Sequence, residues 1–150
     1  MNSPLAINSH SDDLLRRIQS QELLMVNPRR KNGVIIYKKY HAEFAGPGAI
    51  IGGQFDPDVT KIIPVGKLSL IKPQDSEARR QAYKMRRQWV KLAKQITDNP
   101  LPEERAQVIL NQFENWFDSA TVSQISDEAF ALLVGVLPQT IRKVRNSQLF

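Results

Sequence analysis

The chain has 150 residues, 41% of them hydrophobic and 24% charged, with no cysteine and a formal net charge of +6. That length suits one well-buried domain, or a small globular part with tails, and argues against two large ones. The composition excludes a wholly disordered chain, no apolar run nears the ~20 residues of a bilayer span, and the missing thiols exclude disulfides and cysteine-ligated metal.

Residues 1–11 are small and polar and are expected to form a mobile tail. They lack a basic start followed by a long apolar segment and a cleavage site, so a cytoplasmic address is expected, without a signal peptide. Ser11, Asp12 and Asp13 then open a short helix as capping and first-turn residues. Leu14, Leu15 and Ile18 lie near one face, which extends toward Glu22–Leu24. Pro28 and the Asn32-Gly33 turn dipeptide end it.

From Gly33 to Ile71, "VIIYKKYHAEF", "AIIGGQF" and "KIIPVGKLSLI" are rich in β-branched residues and separated by Gly and Pro breakers. This predicts three or four short strands in a small curled antiparallel sheet. The stretch "GPGAIIGG" does not have the G-x-x-x-x-G-K-[ST] arrangement of a phosphate loop and reads as a hairpin turn or bulge. His10 and His41 have no matching ligand set, so no metal site is expected. Turn formation accounts for Asp56 and Asp58, which flank Pro57.

Lys72-Pro73 closes the strand region, and a long helix follows. Its apolar stripe is Ala78, Ala82, Met85, Trp89, Leu92, Ala93 and Ile96, at steps of three and four, and Asp75, Ser76 and Glu77 suit its N-terminus. On a different face Arg80, Lys84, Arg87, Lys91 and Lys94 form a cationic ridge. The basicity is local: residues 75–98 carry seven positive and three negative side chains, and residues 99–125 one positive and four negative. Five like charges in a row repel one another unless something compensates them. Phosphate is one such anion; Glu103, Glu104, Glu114 and Asp118 of the next helix, in this chain or a second subunit, are the rival. A solvated basic face is the blander reading.

Pro102 and Glu103-Glu104 start the next helix, whose wide apolar face is Ala106, Ile109, Leu110, Phe113, Trp116 and Phe117. The periodicity of those aromatics points inward, so they are expected to be core and not a stacking platform for bases. Ser126, Asp127 and Glu128 then begin a helix that Gly135 ends, and Pro138 suits the first turn of the last helix.

Ala131, Gly135, Ile141 and Val144 are spaced so that a small residue lets two helices cross, a glycine makes the turn and an aliphatic pair anchors the second helix. This segment resembles the helix-turn-helix unit of bacterial repressors. The run Gly135-Val136, Gln139-Thr140-Ile141, Val144 and Asn146 is most similar to the lac-repressor type. The resemblance covers about 20 residues and departs from the pattern at Leu137, where Ser or Thr is the common cap, and at Leu132-Leu133, where water is the common neighbour. It implies that Gln139, Thr140, Lys143 and Asn146 contact bases or phosphates and that Arg142 and Arg145 neutralise phosphate.

The expectation is therefore an α+β chain: tail 1–11, a short helix plus small antiparallel sheet at 12–74, and a helical region at 75–150 ending in a helix-turn-helix-like pair. Residues 12–150 as one compact domain is the alternative. The expected function is a small DNA-binding regulator without a cofactor, with DNA preferred over RNA because no ribonucleoprotein aromatic motif marks the strands. An interaction or assembly protein whose basic helix docks on an acidic protein, or a homodimer paired through an edge strand such as "GVIIYKKY", is the competing class. No nucleophile elbow, paired-histidine zinc helix or Walker loop points to an enzyme.

Overall fold

A computed structural model describes residues 11–147; the expected tail, apart from Ser11, lies outside them. The chain is α+β, with six short strands and then five helices after an initial one. Helix α1 (Ser11–Gln19) buries Leu14 and Ile18, as its spacing predicts. It stops earlier than expected. Gln21 takes a left-handed conformation (φ 67°) and Leu23–Val26 becomes strand β1 instead of continuing the helical face. The four-residue run Leu-Leu-Met-Val has no period of its own, so the turn at Gln21 and its strand partners decide its state.

The remaining strands are β2 (Gly33–Tyr37), β3 (Ala42–Ala45), β4 (Ile50–Gly52), β5 (Lys61–Val65) and β6 (Leu70–Ile71). They form two antiparallel three-stranded sheets, ordered β4-β1-β6 and β3-β2-β5, where one sheet was expected. β2 is central, pairing Ile35 with Phe44 on one side and Ile63 on the other, so "GVIIYKKY" is not the edge strand expected to pair across a dimer: both of its hydrogen-bonding edges are already used. All five of its residues are buried, because both faces are covered. Val34 and Ile36 join α1 and the first sheet in one core, while Ile35 and Tyr37 join the C-terminal helices in a second. An unbroken apolar run marks a strand between two layers, where alternation would mark a half-exposed one. Pro64, which cannot donate to a ladder, sits on the edge strand β5.

Helix α2 (Ser76–Thr97) is capped by Asp75, whose side chain accepts from the Ala78 amide. It packs on β3, β4, α3 and α5, and Trp89 touches both cores. Helix α3 (Pro102–Trp116) buries Ala106, Ile109, Leu110 and Phe113. Its aromatics turn inward as expected: Phe44, Trp89, Phe113, Trp116 and Phe117 form one cluster with ring centroids 4.8–6.0 Å apart. A short α4 (Ser119–Ser123), capped by Asp118, leads to α5 (Asp127–Val134) and α6 (Pro138–Ser147), which pack on α3. Among the described residues no helix is long and apolar enough to cross a membrane.

Candidate nucleic-acid interface

The α5–α6 pair is built on the four residues that carry the spacing. Ala131 is 3% exposed, Ile141 is fully buried and Val144 is 7% exposed, all in the core shared with α3. Gly135 is left-handed (φ 68°, ψ 42°), and its amide, with that of Val136, donates to the Ala131 carbonyl. That arrangement closes the end of α5 and turns the chain within three residues. Arg105 of α3 donates to the Gly135 carbonyl at 3.2 Å and ties the turn to the bundle. Leu132 is half-buried against the core and Leu133 is buried, so α5 is enclosed on more than one side. Leu137, in the cap position, offers no side-chain oxygen and stands 67% exposed.

On α6 the outward residues are Gln139, Arg142, Lys143 and Asn146, at i, i+3, i+4 and i+7, hence one stripe. Thr140 is half-buried beside it. The three cations do not stand alone. Lys143 Nζ lies 2.7 Å from Glu103 Oε1, a hydrogen bond and charge that push the lysine pKa up. Arg142 Nε is 3.4 Å from Asp127 Oδ2. Arg145 is held more firmly: Nη1 is 2.8 Å from Asp127 Oδ1, Nη2 donates to the Val122 carbonyl at 2.9 Å, and its guanidinium lies over the Phe130 ring at 4.8 Å. Arg145 thus braces α6 against α4 and α5, whereas Arg142 and Lys143 remain mostly in water.

The ridge on α2 has the opposite character. Arg80, Lys84, Arg87, Lys91 and Lys94 are all exposed. Arg80 pairs with Glu77 one turn away at 2.8 Å, and no ion pair among the described residues engages the other four. Three of the four rival acids go elsewhere within this chain, Glu103 to Lys143, Glu104 to Asn99 and Asp118 to the α4 cap, and Glu114 is exposed and makes no ion pair with the ridge among the described residues. Lys94, at the end of the ridge, shares a groove with Gly135 and Val136 of the turn.

The inner face of α2 holds what the sequence pattern hid. Leu92, expected in the apolar stripe, is 42% exposed, and Arg86 is fully buried in its place. The Arg86 guanidinium donates to both Asp56 oxygens at 2.8 and 2.9 Å, to Glu43 at 2.9 Å and to the Ile50 carbonyl at 3.1 Å, with the Phe55 ring 4.9 Å away. Lys38 Nζ reaches Asp56 at 3.0 Å, Asp58 at 2.7 Å and the Phe55 carbonyl. Burial pushes the Asp56 carboxyl upward, but Arg86, the Gly52 amide and Lys38 together hold it below its ordinary value. Asp56 and Asp58 are therefore more than turn formers, since they anchor a charged network that pins α2 to the strands. The signal was available in the sequence: Arg86 falls between Ala82 and Trp89 at steps of four and three.

Among the described residues no three His, Asp or Glu side chains are grouped to hold a metal ion. Comparison with protein-family models, with curated proteins and with solved structures finds no match to this chain.

Proposed function

We propose that this chain is a small cytoplasmic nucleic-acid-binding protein, a DNA-binding transcriptional regulator in which α6 enters the major groove and the α2 ridge grips phosphate. The observation that carries the reading is the outward stripe Gln139, Arg142, Lys143 and Asn146 on a helix whose inner side is locked by Ala131, Ile141 and Val144. Lys143 is held by the exposed carboxylate of Glu103, which water screens, and Arg142 makes only a long 3.4 Å contact to Asp127, whose closer partner is Arg145, so a phosphate can replace those contacts at small cost. Arg145 is a brace that sets the angle of α6. The reading needs neither a cofactor nor a catalytic group.

Affinity of this kind is dominated by counterion release and falls by about 0.9 log unit per log unit of salt for each phosphate neutralised. Fluorescence anisotropy with labelled mixed-sequence genomic fragments at two salt concentrations tests it: steep salt-dependent binding is expected, and no binding at low salt rejects it. Within bound complexes, Lys143→Ala weakens every sequence alike, whereas Gln139→Ala alters which sequences are preferred.

A second reading has its own support. The four ridge cations of α2 that make no ion pair among the described residues contrast with the stripe of α6, beside which Glu103 and Asp127 already stand. That pattern suits an acidic protein partner, or a second copy of the chain, docking on α2 alone. Indifference to DNA together with a stable complex on size exclusion favours it.

A further inference from the structure

Tyr40, at the tip of the β2–β3 hairpin, is 81% exposed, the most exposed of the large apolar side chains among the described residues. Lys39 covers one face of its ring, with Nζ 5.2 Å from the centroid. Tyr40 is among the residues that line a groove of about 420 Å³ between the hairpin, the last turns of α2 and the α5–α6 turn. Its apolar lining includes the half-buried Val90, Ala93, Leu132 and Val136, which we take as its floor. Its rim is polar: Lys94, Thr97 and His41. That volume lies within the range of roughly 300–1,000 Å³ typical of small-molecule sites, where an apolar surface and a few placed polar groups fix one ligand.

The charge balance of the rim is lopsided. Glu43 is the groove's acidic residue, and it is already committed to Arg86 at 2.9 Å and to His41 Nε2 at 2.9 Å. Lys94 has no carboxylate partner among the described residues. An ammonium with no carboxylate partner among the described residues, an apolar lining, and an aromatic ring with one face left open by Lys39 are together complementary to a flat apolar body bearing one negative charge.

We infer that this groove binds a small planar aromatic carboxylate, its ring against Tyr40 and the Leu132–Val136 floor and its carboxylate on Lys94. The site stands whether or not α6 reads nucleic acid.

The test uses 1-naphthoate as probe and neutral 1-naphthalenemethanol as its uncharged counterpart, titrated into the full chain while backbone amide resonances are followed by NMR. Naphthoate is expected to shift the amides of residues 40–43, 90–97 and 131–136 together, and to bind at least about tenfold more tightly than the alcohol. Lys94→Gln should bring naphthoate down to the level of the alcohol, and Tyr40→Ala should weaken both probes. Both variants alter exposed side chains, so an unchanged amide spectrum elsewhere verifies that they fold. Absence of shifts at these amides up to about 1 mM probe, shifts scattered over other surfaces, or equal binding of acid and alcohol would each overturn the assignment.

Discussion

Arg86 and Arg87 are adjacent on α2 and chemically identical, yet one is fully buried and the other lies in water. A rotation of about 100° between them moves the guanidinium from a cage of Asp56, Glu43 and a carbonyl to the exposed ridge. The inner arginine spends its hydrogen bonds on the fold. The outer one has no partner among the ion pairs of the described residues and is free to meet an anion. A count of positive residues along this helix therefore mixes two populations, and only burial separates the structural one from the candidate binding one.

The largest effect that would break this contrast is on stability. Arg86→Met leaves Asp56 buried beside Lys38 but without its principal partner, and a loss of about 3–5 kcal/mol is expected, because an uncompensated buried charge is costly. Arg87→Ala should change stability by less than about 0.5 kcal/mol. Urea unfolding of the two variants measures the difference, and similar losses would refute the division of α2 into two faces.

Next in size comes backbone geometry at two glycines. A Cβ at Gly52 would meet the Glu22 carbonyl oxygen at 1.9 Å, whereas one at Gly135 meets nothing within 4 Å. Gly135→Ala should therefore cost only the left-handed conformation, about 1–2 kcal/mol, and Gly52→Ala distinctly more. Thermal denaturation ranks them.

Acid titration sharpens the picture of the buried cluster. The folded-state pKa of Asp56 lies below its ordinary 3.8, so its contribution to stability is complete above that value and is lost as pH falls from there through the depressed value. Denaturant midpoints at pH 5 and pH 3 should differ more for the wild type than for Asp56→Asn. An equal pH dependence in the two would sink the linkage.

The smallest expected effect belongs to the outer face. If the ridge contacts nucleic acid, Lys91→Ala should reduce the slope of log affinity against log salt by about 0.9 while leaving the unfolding midpoint within error. An unchanged slope would place that lysine outside the interface.

Where residue identity and spacing act locally, the outcome was legible. The Ala131, Gly135, Ile141, Val144 spacing produced the expected crossing and turn, since a glycine in the left-handed region and small or aliphatic contacts are satisfied by neighbours only a few residues away. The inward aromatic face of α3 follows from its period in the same way. Two sheets in place of one, and a strand at Leu23–Val26, were not legible, because short apolar runs take their state from distant partners such as Ile50–Gly52 and Leu70–Ile71. The roles of Arg86 and Arg145 were hidden for a related reason: a charged side chain reads as solvated until its carboxylates, 30 and 18 residues away in the chain, are seen beside it.

By itself the sequence determined the α+β class, the helix starts at Asp75, Pro102 and Ser126, and the α5–α6 turn, all set by capping, proline and glycine preferences and by periodicity over a few turns. Only the tertiary structure decided which carboxylates the inward cations meet and which groove the hairpin shares with the turn. Those outcomes depend on desolvation and on charge pairs between segments far apart in the chain, and no local pattern encodes them.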